Sequence, residues 1–182
     1  MMMRIAAATF VVFVFAACGG SSPQSTAPTS SLPTPATSSP PPGSGPSAPA
    51  SAEEAYDTAA ALASAGRFDQ ALAQFEAAER AFPGDQSIVA ARAILRDRRD
   101  SLISDDATQR IFRAFDHANA ERWSEAHADI DAAIKQSPRY ARAYSARGGI
   151  LLMQQQRDDA IAAFAKAIEV DPQFWEAHFN RG

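Results

Sequence analysis

The sequence predicts an all-α fold, of the α-solenoid type, for the larger part of this 182-residue chain. From Glu53 onward glycine and proline are scarce, and alanine recurs at the spacing of one face of a helix. The three prolines of this region, Pro83, Pro138 and Pro172, are separated by 55 and 34 residues. A fixed period of this length is typical of solenoids, in which each helical repeat packs only on its neighbours.

Windows of 34 residues bring similar side chains into the same columns. The windows are 52–85, 107–140 and 141–174, and a partial window, 175–182, follows. Small residues fill columns 8, 20 and 27, and a large apolar residue fills column 24: Ala59, Ala114, Gly148; Ala71, Ala126, Ala160; Ala78, Ala133, Ala167; Phe75, Ile130, Phe164. Column 32 holds the three prolines. Small residues let antiparallel helices approach closely, the large residue fills the space toward the neighbour, and proline ends the helix.

With these columns, residues 52–182 resemble the tetratricopeptide repeat, whose period is 34 residues. The resemblance implies a solenoid of antiparallel helix pairs. Column 18 contains Asp69, Ser124 and Asp158, which are residue types that cap helices well. We therefore expect these three residues to be the N-caps of the second helices.

The insert between the first two windows, residues 86–106, contains neither glycine nor proline and is predicted to be helical. Neighbouring helices of a solenoid alternate in direction, so one separate extra helix would reverse all the helices that follow. This argument favours one long helix from about Ser87 to Ala120. Ser101 and Ser104, followed by two aspartates, favour a kink or a break, because such residues prefer caps. We expect one long, kinked helix, with two separate helices as the alternative.

The first seventeen residues have the organisation of a secretory signal peptide. Arg4 supplies a positive charge, and residues 5–17 are apolar apart from Thr9. Such a segment makes a helix of about 20 Å, too short for a hydrocarbon core of about 30 Å. A short positive segment, a short apolar segment and small residues at the end are typical of a signal that is cleaved.

The only cysteine, Cys18, follows this segment in the sequence FAAC. Without a second cysteine it cannot form an intramolecular disulfide, so it is a buried residue, a reactive thiol or an attachment point. FAAC resembles the lipobox of bacterial lipoproteins, with Phe15 where leucine is usual. The resemblance implies a bacterial cell-envelope protein with acyl chains on Cys18. Gly19, in place of aspartate, implies the outer membrane on its periplasmic side. Ordinary cleavage and an uncut anchor are the alternatives.

Residues 18–51 are expected to form a disordered tether rich in proline, serine and threonine. No charged residue occurs from Gly19 to Ala52, and nine of the twelve prolines fall between Pro23 and Pro49. Such a segment buries too little apolar surface to offset its ordering entropy, and its prolines favour extended polyproline II. The tether would hold the repeat domain away from a membrane.

The repeat region contains no motif for catalysis or for a cofactor. It has sixteen basic and twenty-one acidic residues, which argues against nucleic acid as a partner. Phosphate loops, HExxH and GxSxG do not occur in the sequence. We interpret His117, His127 and His178 as surface or packing residues, and Asp129 and Asp131 as caps and surface charge. No catalytic residue, metal ligand or cofactor is predicted, and the protein is not expected to be an enzyme.

The resemblance implies that a partner protein binds in a groove lined by the first helix of each pair. A carboxylate clamp known in the family is not matched, because only Arg142 is basic among its positions. The groove candidates on the first helices are mostly apolar: Tyr56, Phe112, Phe115, Arg142, Gly149, Leu152 and Met153. The composition predicts a protein or peptide partner with an apolar or helical segment. Gly149 is either tolerated or lets a ligand backbone approach closely.

These features predict a membrane-tethered scaffold that binds a protein partner in the cell envelope. Alternatives are the N-terminal part of a longer envelope protein with a missing catalytic or effector domain, and a pilotin-like outer-membrane assembly lipoprotein. The partial window stops before its first helix is complete, which favours a fragment. This short helix is expected to lean on Ile161, Phe164 and Ile168, because isolated helices of two turns are marginal.

Overall fold

The computed structural model describes residues 49–181, which form eight α-helices and no β-strand. The helices are α1 Ala52–Ser64, α2 Phe68–Ala81, α3 Gln86–Arg99, α4 Asp105–Asn119, α5 Trp123–Gln136, α6 Ala141–Met153, α7 Arg157–Val170 and α8 Trp175–Arg181. The all-α prediction is confirmed for these residues. The predicted signal peptide, the lipidation site Cys18 and nearly all of the tether lie outside them. Within the described part, every helix is too short or too polar to cross a bilayer.

Three helix pairs, α1–α2, α4–α5 and α6–α7, are each joined by a turn of three residues. The central residue of each turn is left-handed, with φ values of 75° at Gly66, 56° at Glu121 and 62° at Gln155. The next residue donates its backbone N–H to the carbonyl five positions earlier, as Arg67 does to Leu62 at 2.8 Å. These are the bonds of a helix end that reverses the chain, so the turns bring each pair together.

The repeated columns form the core of the pairs. All twelve residues of columns 8, 20, 24 and 27 are buried. The closest approach is at Gly148, where an added Cβ would lie 2.5 Å from a carbon of the Phe164 ring. Only glycine fits this approach in α6 without moving the ring.

The second helices do not begin at the residues expected from the sequence. Their N-caps are Arg67, Arg122 and Gln156, none of which caps with its side chain. The expected caps, Asp69, Ser124 and Asp158, are the second residues of their helices, so that prediction is wrong. The reason is the left-handed turn, because the residue directly after it already starts the helix. The two aspartates instead lie near the positive end of the helix dipole.

The insert is a separate helix, α3, so the expectation of one long helix is wrong. Asp100 ends α3, and Ser101 follows with a left-handed φ of 62°. The Ser104 hydroxyl then accepts a hydrogen bond from the Ala107 N–H at 3.2 Å and starts α4. A helix cannot continue through this backbone. The Gln109 side-chain amide donates to the Ser64 carbonyl at 2.8 Å, so α4 begins beside the end of α1.

Helix α3 is part of the core and not a spacer. Its buried side chains are Ile88, Ala91, Ile94 and Leu95. Arg98 pairs with Asp69 of α2 at 3.1 Å and with Asp105 of α4 at 2.7 Å, and its guanidinium lies over the Phe68 ring. These contacts fasten the end of α3 to the starts of α2 and α4.

Two apolar clusters meet at α6. The first extends from Ala55 to Ile150, and the second joins α6, α7 and the start of α8. Phe174 and Ala177 attach α8 to the second cluster, which includes Phe164 and the partly buried Ile168. Ile161 is exposed, so it does not support α8 as expected. Trp175 and Phe179 also remain exposed, by 56% and 72%.

Candidate partner-binding surface

Helix α4 packs between α1 and α6, and half-buried apolar residues lie on all three helices. The Tyr56 ring of α1 packs edge-on against Phe75, with ring centres 5.5 Å apart. The Phe115 ring of α4 lies 3.7 Å from the point where a Cβ on Gly149 of α6 would be. Met153 follows one turn after Gly149 and packs against the first cluster. We call Tyr56, Phe115, Gly149 and Met153 the α1–α4–α6 surface.

Two other groove candidates have different surroundings. Phe112 is 1% exposed, and its ring centre lies 6.2 Å from that of Phe75, so it supports the surface from beneath. Leu152 packs against the second cluster, on the side of α6 toward α7. Neighbouring residues in a helix point in different directions, so Leu152 and Met153 do not share one face. A binding role for any candidate stays a prediction.

The remaining candidate, Arg142, is occupied by contacts within the chain. Its guanidinium pairs with Asp97 of α3 at 2.9 Å and with Glu176 of α8 at 2.6 Å, and it lies over the Phe174 ring. The hydroxyl of Tyr140 donates to the same Asp97 at 2.8 Å. Burial and the Asp97 charge raise the pKa of Tyr140, so this hydroxyl keeps its proton. Arg142 therefore links α3, α6 and α8.

Carboxylates lie beside the apolar side chains of the α1–α4–α6 surface. Asp57 follows Tyr56 in α1, and Asp116 follows Phe115 in α4. Burial raises the pKa of Asp116, and the nearby charge of Asp57 adds to the effect. Burial and the charges of these two aspartates also raise the pKa of Tyr56. This part of the surface is thus apolar and acidic.

The sequence did not indicate that Asp129 of α5 is buried. Its exposed fraction is 5%, and its carboxylate faces Arg110 at 3.2 Å, Arg113 at 3.1 Å and His117 at 3.4 Å, all from α4. The interpretation of Asp129 as surface charge is therefore wrong. A signal was present, because residues 110, 113 and 117 have the spacing of one helix face and Asp129 precedes a residue of column 24.

The histidines contact residues of the chain. His117 faces Asp129 and Arg122, His127 meets the Gln154 side chain at 2.7 Å, and a ring nitrogen of His178 lies 3.0 Å from the Pro172 carbonyl. In residues 49–181, no group of three or more His, Cys, Asp or Glu side chains is placed to hold a metal ion.

An open cleft of about 560 Å³ lies between α5, α6 and α7. Its charged side chains are largely paired within the chain, Arg147 with Asp131 at 3.2 Å and Lys166 with Glu169 at 2.8 Å. The α1–α4–α6 surface offers more unsatisfied contact than this cleft does.

A family model for the tetratricopeptide repeat matches residues 113–173 and, in a second placement, residues 152–182. The match runs from α4 to the end of the chain and leaves α1, α2 and α3 outside. No curated protein and no solved structure matches the chain. The matched part is similar to tetratricopeptide repeats, and the all-helical repeat structure agrees with that similarity. Such repeats generally mediate protein–protein interaction, and the fold is typically a non-catalytic scaffold.

Proposed function

We propose that this chain is a membrane-tethered scaffold of the bacterial cell envelope. Its helical repeat binds a protein partner through an apolar or helical segment. The observation that carries the binding role is the α1–α4–α6 surface, where three neighbouring helices leave Tyr56, Phe115 and Met153 half-buried. Each of these helices is the first of its pair, and the family binds its partners on first helices.

The partner gains contact area at low cost on such a surface. Side chains that already pack against the core lose little conformational freedom when a partner covers them. Aromatic and methionine side chains are enriched in the buried centres of protein interfaces. An apolar segment that covers Phe115 and Met153 therefore removes their remaining exposed area from water, which stabilises the complex.

The tether is supported by the sequence before residue 52. Cys18 ends a short apolar segment, and an uncharged, proline-rich stretch follows it. Acyl chains on Cys18 would anchor the chain, since more than one lipid chain gives stable membrane attachment. In this arrangement the repeat recruits its partner close to the membrane.

Site-specific photo-cross-linking in cells tests the binding role. A photoreactive amino acid replaces Phe115, and in a matched control it replaces Ala73, an exposed residue of α2. We expect a cross-linked product of defined mass from position 115 only, and we expect Met153→Glu to remove it. Equal products from both positions, or a product unaffected by Met153→Glu, would show that the partner binds elsewhere.

A further inference from the structure

The carboxylates of the α1–α4–α6 surface differ from most others in the fold. Within residues 49–181, no lysine, arginine or histidine forms an ion pair with Asp57 or Asp116. By contrast, arginines pair with a large set of other acids: Asp69, Glu76, Glu79, Asp97, Asp105, Asp106, Asp129, Asp131 and Glu176. Uncompensated negative charge is thus concentrated beside the apolar residues of this surface.

Asp116 lies in surroundings that disfavour its charge. It is half-buried, and burial is the largest effect that raises its pKa. Asp57 of α1 raises the pKa further, while the Ser64 hydroxyl, His117 and Arg122 oppose the shift without cancelling it. Removing a carboxylate from water costs free energy unless a cation or hydrogen-bond donors replace the lost water. Asp116 therefore has room for a stronger cationic partner.

Ser64 adds an unsatisfied polar group at the same place. Its hydroxyl oxygen is buried, and although it lies close enough to Asp116 to affect the carboxyl, it makes no hydrogen bond of ordinary geometry. The neighbouring Tyr56 keeps its phenolic proton because burial and the two aspartates disfavour its ionisation. A cationic group that carries several N–H donors would meet carboxylate, hydroxyl and phenol oxygens here.

We propose that the segment docking on this surface places a lysine or arginine against Asp116 and Asp57, beside an apolar side chain that packs on Phe115 and Met153. The inference rests on the proposed function and specifies the chemistry of the partner. A charge-assisted hydrogen bond to a half-buried carboxylate is stronger than one between neutral groups. The basic residue fixes the register of the segment, and the apolar residue supplies buried area.

Selection of short random peptides displayed on phage tests this chemistry. The immobilised protein is the full chain, as wild type and as Asp57→Asn/Asp116→Asn. The matched control, Asp158→Asn/Asp159→Asn, removes the same charge from exposed positions of α7. We expect wild type and control to recover peptides that combine an apolar residue with lysine or arginine. The test variant should bind those peptides about tenfold more weakly or worse.

The outcomes separate this inference from the proposed function. Recovered peptides that lack basic residues, or that bind both double variants equally, overturn the inference. The proposed function then still stands if Phe115→Ala and Met153→Ala weaken those peptides. Binding that is unaffected by Phe115→Ala and Met153→Ala overturns both. The single variant Asp57→Asn changes an exposed side chain, so it decides the question if the double variant does not fold.

The pH dependence of peptide binding gives a second readout. A basic group favours the ionised form of Asp116, so binding should weaken as the pH falls through the raised pKa of this carboxyl. The Asp57→Asn/Asp116→Asn variant should lose that dependence. A wild-type affinity that stays constant across this pH range contradicts the inference.

Discussion

At the residue scale, Gly148 and Gly149 of α6 are adjacent glycines with opposite surroundings. We expect Gly148→Ala to destabilise the fold by about 1–3 kcal/mol, because its Cβ would lie 2.5 Å from the Phe164 ring. Gly149→Ala should instead stabilise the fold by up to about 1 kcal/mol, because its nearest neighbour, Phe115, lies at an ordinary 3.7 Å. Thermal and denaturant unfolding of the two variants measure the difference.

Equal unfolding free energies for the two alanine variants would contradict the packing of α6 on α7. The sequence placed Gly148 in column 8 and therefore predicted its close approach. It left two alternatives for Gly149, and the structure shows ordinary space there. Periodicity identifies the face of a helix, but it does not measure the gap to the next side chain.

The charge of Asp116 should oppose folding at neutral pH. Its pKa is raised in the folded state, so the folded chain holds this proton more tightly than the unfolded chain does. The sign follows directly, because stability from this group is present at low pH and is lost as the pH rises through the folded pKa. We therefore expect Asp116→Asn to raise the unfolding temperature at pH 7, with no gain below the usual range of an aspartate.

Unfolding curves of wild type and Asp116→Asn, recorded from pH 3 to pH 8, measure this effect. The exposed Asp158→Asn serves as the control and should show no such crossover. If Asp116→Asn is less stable at pH 7, the carboxylate contributes to the fold, and its role as a reserved binding group loses support.

At the element scale, the start of α4 depends on Ser104. Its hydroxyl accepts from the Ala107 N–H, and we expect Ser104→Ala to cost about 1 kcal/mol. Ser124 is the informative control, because the sequence suggested a cap there and the structure places it inside α5. Ser124→Ala should leave the unfolding free energy nearly unchanged. A larger loss at Ser124 than at Ser104 would contradict these helix starts.

Arg142 should hold α8 and the end of α3 in place. Arg142→Met removes the cation but leaves Asp97 and Glu176 partly buried, so we expect a loss of about 3 kcal/mol. Amide hydrogen exchange in α8 should accelerate most, because this helix has only two turns to stabilise it. Unchanged exchange in α8 would mean that Phe174 and Ala177 alone hold the helix.

Lys166 provides the matched control for Arg142. Its pair with Glu169 lies on the surface of α7, where water and salt screen the interaction. Lys166→Met should therefore leave both the unfolding temperature and the exchange of α8 unchanged. The comparison separates the loss of a linking contact from the mere loss of a positive charge.

At the scale of the whole molecule, we expect Cys18→Ser to release the chain from membranes. The reason is chemical, because a serine hydroxyl cannot form the thioether that holds the lipid on sulfur. Labelled palmitate and membrane fractionation measure the change, with Ser21→Ala as a control that leaves FAAC intact. Palmitate that persists in Cys18→Ser would contradict the lipoprotein assignment.

The two apolar clusters describe how the described part of the molecule is held together. The first includes α3, which no 34-residue window contains, and the second depends on α8, which begins a further window. Packing of neighbours gives such folds their stability, so the insert and the short last helix contribute to the core like the regular repeats. The charged network at Arg142 connects both.

The sequence by itself determined the helical class, the three helix pairs and the twelve buried residues of the repeated columns. These features depend on local propensity and on spacing along the chain, and both can be read without coordinates. The same reasoning identified Tyr56, Phe115, Gly149 and Met153 as surface candidates, because first helices face the same way in successive repeats.

Only the tertiary structure decided where the chain breaks between α3 and α4, and which charged groups meet. The left-handed residue Ser101 follows from how α3 and α4 pack, since serine alone does not specify it. The burial of Asp129, the pairing of Arg142 and the lack of an ion-pair partner for Asp116 within residues 49–181 depend on the rotation of helices against one another. Spacing along one helix cannot supply that rotation, because it is set by side chains from distant parts of the chain.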